Sequence, residues 1–216
     1  MARTAGRATA AKLGTKILSN DRVTIIGRTG QGKSKVAMWV LSQIKSPRKI
    51  ILNSKPDKDL LVKWPNWVKS IKDVPPAGVT HVARFLKFPD GIKGWDDVLG
   101  LWRHGNMVFY FDELPNHANA SQWSGHLQQI YQTGRSVGVG AVACAQRPVN
   151  VPNFTLSEAD HIFIGYTQLK SDREKLEGAT GVQWDILREL PPYHFGYYCQ
   201  RAGMTEPIIL PPVPLV

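Results

Sequence analysis

At 216 residues, 43% of them hydrophobic and 20% charged, the chain is long enough for one α/β domain with a sizeable core, and its seven Trp argue against disorder. Twenty-seven Lys and Arg against 17 Asp and Glu leave a formal charge of +10, which favours a polyanionic partner, nucleic acid before membrane, although a basic soluble protein without such a partner has the same balance. No apolar run approaches the roughly 20 residues that span a bilayer, so no transmembrane segment is expected, and the two cysteines, Cys144 and Cys199, have no metal-like spacing.

Residues 1–20 carry Arg3, Arg7, Lys12 and Lys16 and no acid, which suits a basic arm that either touches DNA or is solvated. The arm lacks the apolar centre of a secretory signal. Val23-Thr24-Ile25-Ile26 is predicted as a buried strand, and Lys33 to Ile44 as a helix with apolar residues at Val36, Ala37, Val40, Leu41 and Ile44, closed by Pro47. Lys49–Asn53 is the next strand. From Lys55 to Gly78, Trp64, Pro65, Trp67 and Pro75-Pro76 break any period. His81–Phe88 alternates as a strand does, Trp95–His104 is predicted helical, and Met107–Phe111 is a continuous apolar run suited to a buried parallel strand. Gln122–Gly134 is a predicted helix, Val139–Ala145 and His161–Gly165 are predicted strands, and Asp172–Gly178 is a short helix. Strands alternating with helices imply a mostly parallel sheet with covered faces. The organisation expected is a basic arm over 1–20, an α/β core over 21–192, and a hairpin with a Pro-rich tail over 193–216.

Gly27-Arg28-Thr29-Gly30-Gln31-Gly32-Lys33-Ser34 matches the phosphate-loop pattern G-x-x-x-x-G-K-[ST] at every fixed position, between an apolar strand and an amphipathic helix as that motif requires. Glycines let the backbone curl so that successive N–H groups face phosphate oxygens, and the helix N-terminus adds its positive end. Lys33 neutralises phosphate charge and Ser34 ligates the Mg²⁺ that accompanies ATP. Asp112-Glu113 at the tip of the strand Met107–Phe111 supplies a carboxylate to hold that metal through water and a second to act as general base. An acidic pair that merely caps a strand is the alternative, less economical with a phosphate loop upstream. No Asn-Lys-x-Asp guanine reader follows this strand; Asn53-Ser54-Lys55-Pro56-Asp57 is off-pattern and precedes it. Gln146, ending the strand Val139–Ala145, is placed to sense the γ-phosphate or simply to cap the strand.

The phosphate loop, the Asp-Glu strand, and Gly134-Arg135 followed by an apolar strand ending Gln146-Arg147-Pro148 resemble the FtsK/HerA superfamily of DNA-pumping ATPases, from about Arg22 to Pro148. Within it, a chain this short looks most like the genome-packaging ATPases of tailless, internal-membrane icosahedral viruses. The resemblance implies a RecA-like core with an additional strand and a catalytic Glu, and a ring, usually hexameric, with double-stranded DNA in its channel. It also implies a soluble or virion-associated setting and a docking partner in the capsid or internal membrane. Arg135 would be an arginine finger in the neighbouring subunit's site, with Arg147 as rival and a plain surface Arg as the alternative for Arg135. A secretion or filament-extrusion ATPase, and an assembly protein gated by nucleotide with little turnover, remain competing readings. The six His are scattered with no pair at ligand spacing, which argues against a metal site beyond nucleotide-held Mg²⁺. Trp64, Trp67, Trp95, Trp102 and Trp123 suit packing or subunit contacts, while Lys69, Lys72, Arg84, Lys87 and Lys93 suit either a DNA channel or a solvated face.

Overall fold

The computed structural model describes residues 16–46, 48–54, 72, 74, 81–85 and 95–214. Within them run β1 (Arg22–Ile26), α1 (Lys33–Gln43), β2 (Arg48–Leu52), β3 (His81–Phe85), α2 (Asp96–Leu99), β4 (Met107–Phe111), α3 (Gly125–Gln132), β5 (Val139–Ala145), α4 (Phe154–Ser157), β6 (His161–Ile164), α5 (Lys170–Thr180), β7 (Phe195–Cys199) and β8 (Ile208–Leu210). These described strands form one sheet in the order β3-β2-β4-β5-β1-β6-β7-β8. From β3 to β6 every pairing is parallel, and the two that follow, β6 with β7 and β7 with β8, are antiparallel. The α/β architecture with a mostly parallel sheet is the one expected. The C-terminal hairpin extends this sheet rather than standing apart from it.

Strand alternation feeds two cores. Met107, Phe109 and Phe111 of β4 face one side with Leu127, Ile130 and Tyr131 of α3 and Leu176 of α5. Val108 and Tyr110 face the other, with Val36, Ala37, Trp39, Val40 and Leu41 of α1. Trp39 is fully buried and meets Phe163 edge to face at 6.5 Å. Cys144 and Cys199 are buried free thiols, and Cys144 packs as the small hydrophobe expected of it.

The ends of the elements differ from the predicted ones where side chains or glycines intervene. Helix α3 starts three residues late because Ser124 caps it, its Oγ accepting from the His126 N–H at 3.0 Å. The segment Gly134–Val137 after it is a 3₁₀ turn. The stretch after Trp95 is α-helical only through Leu99 and then 3₁₀ through His104. Helix α5 runs longer than predicted, to Gly181, whose φ of 73° supplies the left-handed stop. Most of the basic arm, Trp64, Trp67, Lys69, Lys87 and Lys93 lie outside the described residues, and of Arg84 only the backbone is described. Trp95 is buried, while Trp123 is half-exposed with its indole N–H on Gln128 Oε1 at 3.1 Å. Among the described residues no helix is long and apolar enough to cross a membrane.

Candidate functional site

Parallel strands point their C-terminal ends to one edge of the sheet, and the predicted chemistry gathers there. The loop Gly27–Lys33 leaves β1, which lies between β5 and β6. Gly30 and Gly32 have φ of 84° and 94°, left-handed values that a side chain would oppose. Gly32 is also the N-cap of α1, and no acid sits in the first helical turn to compete with a bound anion. Lys33 is buried, its ammonium donating to the Arg28 carbonyl at 3.2 Å, so the charge arches over the loop.

Gln31, a variable position of the motif, holds the loop in shape. Its Oε1 accepts from the Arg28 N–H at 2.8 Å and its Nε2 donates to the Tyr166 carbonyl at 3.0 Å, just past β6. A Cβ on Gly27 would stand 2.7 Å from that same Oε1, so the first glycine of the motif makes room for the strut.

Asp112 leaves the end of β4 and is buried. Its Oδ1 accepts from the Ser54 N–H at 2.9 Å and the Ser54 hydroxyl at 2.8 Å, and its Oδ2 from the Asn53 amide at 2.8 Å. Asn53 and Ser54 end β2, the neighbour of β4 in the sheet, and Asn116 donates to Ser54 Oγ at 2.9 Å. These donors fix the direction of the carboxylate at the end of β4. Asn53-Ser54 was readable only as a failed guanine motif. Its actual work depends on β2 lying beside β4, a pairing that local sequence does not disclose.

Glu113 follows in extended conformation, also buried, and Gln146 at the end of β5 donates to its Oε2 at 3.4 Å. The structure thus brings Lys33, Asp112, Glu113 and Gln146 to one edge. A pocket joins Gly27 and Arg28 to Gln146, Arg147, Gly165 and Asp172. Arg147 is in that group but engaged: Asp172 Oδ1 accepts from its Nη2 at 3.1 Å and from its Nε at 3.2 Å. Asp172 in turn accepts from Thr167 Oγ1 at 3.2 Å.

Arg135 is elsewhere. It precedes β5, so the seven residues of that strand, about 23 Å of extended chain, separate it from Gln146. There its guanidinium pairs with Asp160, which also accepts from Arg22 Nε at 3.1 Å and the Arg22 N–H at 2.9 Å. Burial by itself raises the Asp160 carboxyl, but the hydrogen bonds from Arg135 and Arg22 outweigh it and hold the group below its ordinary value. Arg135 therefore cannot reach the phosphate loop of its own chain.

A buried histidine lies behind the carboxylates. His117 packs between Trp95 and Phe111, at 4.6 and 5.4 Å between ring centres, and burial pushes its pKa down to about 3. It is an uncharged core residue. Among the described residues no cluster of three or more His, Cys, Asp or Glu is arranged to hold a metal ion by itself. The residues at this edge, a buried carboxylate after β4 and the serine that follows Lys33 in α1, are of the type that would hold a metal brought in by a triphosphate.

The chain is homologous to the DNA packaging ATPase P9 of Enterobacteria phage PRD1, with 29% identity over 228 residues, 91% of this chain and 90% of that protein. The genome packaging NTPase B204 from Sulfolobus turreted icosahedral virus 2, in complex with ATP-gammaS, superposes with a TM-score of 0.72 at 18% identity, over 90% of this chain and 98% of B204. The pCW3 conjugation coupling protein TcpA, with ATPgS, matches at a TM-score of 0.55 and 13% identity, over 88% of this chain and 60% of TcpA. No family profile matches the chain. The resemblance read from the motifs is borne out, and the two structural likenesses show the P-loop ATPase fold.

Proposed function

We propose that the chain hydrolyses ATP to drive double-stranded DNA into a viral capsid, as one subunit of a ring, usually hexameric in such motors. The observation that carries this reading is the full-length likeness to a DNA packaging ATPase in a chain that also gathers Lys33, Asp112, Glu113 and Gln146 at one sheet edge. The loop from Gly27 to Ser34, including Arg28 and Thr29, binds the phosphates. Ser34, and Asp112 through water, would hold Mg²⁺, which would supply Lewis-acid stabilisation of the phosphate charge. Glu113 takes the proton of the water that attacks the γ-phosphorus. Lys33 offsets charge on the phosphate oxygens as the bridging P–O bond breaks, and ADP and phosphate leave. Gln146, on Glu113, registers the change and passes it through Arg147 and Asp172 to the start of α5.

Arg135 acts on a neighbour or not at all, and Arg147 is the rival finger at the loop edge. The +10 charge suits a sequence-indifferent grip on DNA phosphates. A virion-associated or host-cytoplasmic location, and a docking partner at a packaging vertex, follow from the same reading.

Steady-state hydrolysis measured with and without duplex DNA across a salt series tests it. DNA should stimulate turnover regardless of sequence, and DNA affinity should fall steeply as salt rises. Slow turnover indifferent to DNA would instead favour an assembly protein latched by nucleotide.

A further inference from the structure

The last variable position of the phosphate-loop pattern is Gln31, half-buried where the loop passes the end of β6. We propose that Gln31 is a positioning residue: its carboxamide fastens the phosphate loop to the connection between β6 and α5, and the hold of the loop on phosphate depends on that fastening. The inference rests on the reading that Gly27–Ser34 binds the triphosphate.

Gln31 grips the loop at one residue and through both of its peptide groups. Arg28 donates its N–H to Gln31 Oε1 at 2.8 Å, and the Arg28 carbonyl accepts from the Gln31 N–H at 3.2 Å. That same carbonyl accepts from Lys33 Nζ at 3.2 Å. The amide therefore fixes the residue on which the ammonium of Lys33 rests. Its other end leaves the loop altogether. Gln31 Nε2 donates to the Tyr166 carbonyl at 3.0 Å, and Thr167, the next residue, donates from Oγ1 to Asp172 Oδ2 at 3.2 Å. Asp172, in the first turn of α5, holds Arg147, the chain neighbour of Gln146. One side chain thus joins the phosphate loop to the segment that contacts from Glu113 already reach.

Two glycines leave the amide its place. An added Cβ would stand 2.7 Å from Gln31 Oε1 at Gly27 and closer still at Gly165, where Gln31 Cδ would be at 3.2 Å. Gly165 follows β6, and its N–H donates to the Ile26 carbonyl at 2.7 Å, which brings it against the start of the loop. Its φ lies outside the left-handed region, so the backbone makes no demand for glycine there. Room for the Gln31 amide is what the missing side chain provides. The nearest atom beyond Gln31, Gly27 Cα at 3.5 Å, is at ordinary contact distance. Because only the flexible end of a side chain stands in the way, alanine at this position should leave the fold standing and push the amide off its partners.

Gln31→Ala and Gly165→Ala attack one contact from opposite sides, and the double variant tells whether they share it. Calorimetric titration of each full chain with ATP and, separately, with inorganic tripolyphosphate, both with Mg²⁺, reads the loop itself. Gln31→Ala should weaken both ligands alike by about 5- to 50-fold, the range for two lost hydrogen bonds. Gly165→Ala should weaken both in the same way and by no more than that. Steady-state kinetics should place the loss in KM rather than kcat, because the loop holds phosphate before and during the reaction. The double variant should match Gln31→Ala alone, since the methyl added at position 165 then enters vacated space. Parental affinity in either single variant, losses that multiply in the double one, or weaker ATP with unchanged tripolyphosphate overturns the proposal. A lower melting temperature with parental affinity makes Gln31 a purely structural contact and overturns it too. Failure of the unmodified chain to bind either ligand overturns the phosphate-loop reading, and this one with it.

Discussion

The two edges of one sheet are both rich in charge, and they hold their carboxylates through different sets of donors. At the edge where β2, β4 and β5 end, Asp112 accepts from Asn53 and Ser54 and Glu113 from the amide of Gln146, beside the pair of Arg147 with Asp172. At the other edge the charges satisfy each other. Arg22 and Arg135 share Asp160, while Asp21 accepts from Arg201 at 3.0 Å and meets His161 Nε2 at 3.0 Å, with Tyr197 on the other ring nitrogen at 2.8 Å. A carboxylate held by amide and hydroxyl donors is fixed in direction, as a group that meets a metal or a water must be. One that is paired with cations and buried is spent on fixing the fold, and removing a partner leaves a charge stranded. The contrast sets the proposed reacting edge against an edge whose ion pairs tie together residues far apart in the chain.

Lys33→Ala breaks the comparison on the reacting side and should abolish hydrolysis, while the melting temperature stays near that of the parent. Near-parental turnover would unseat the loop as the phosphate site. Asp160→Ala is the counterpart on the structural side. It strands Arg22 and Arg135 and should cost about 3–5 kcal/mol in denaturant unfolding, with the nucleotide affinity of the folded fraction intact. Because the Asp160 carboxyl is held below its ordinary value, its contribution is complete above about pH 4 and is lost as pH falls through the folded value. The parent should therefore lose stability in acid more steeply than the variant. An equal acid response would remove the pairing from the account.

Glu113→Gln should cut turnover by about 10²-fold or more and leave ATP binding in place, as loss of a general base does. Collapse of nucleotide affinity would make Glu113 a structural acid like Asp160. Arg135 sharpens the line between the edges, since a finger acting in trans would recruit the structural edge to the neighbour's reaction. Arg135→Ala should bind ATP yet turn it over slowly, and mixing it with Lys33→Ala should restore part of the activity as protein concentration rises. Because fingers are worth about 10³ to 10⁵ in rate, a minority of repaired interfaces suffices to show it. Absence of recovery in mixtures that co-assemble by light scattering would leave Arg135 to the Asp160 pair alone and move the same test to Arg147.

What the sequence determined by itself is what is local in the chain. Eight consecutive residues bend into the phosphate loop because glycines at 30 and 32 allow positive φ and Lys33-Ser34 start a helix, so no distant contact is needed to read them. Apolar runs such as Met107–Phe111 and Val139–Ala145 declare buried parallel strands for the same reason, and acids directly after the first of them mark the proposed site. Tertiary structure decided what joins residues far apart in sequence. Asn53 and Ser54 serve Asp112, 59 and 58 positions away, only because β2 lies beside β4. Gln31 reaches Tyr166 across 135 positions only because β1 pairs with β6. Arg135 and Gln146 sit eleven residues apart yet at opposite edges because an extended strand carries the chain across the sheet, and Tyr193 and Pro212 reach the loop because two antiparallel turns bring the chain back. Strand order is set by burial of both sheet faces at once, a property of the whole core that no short window of sequence contains.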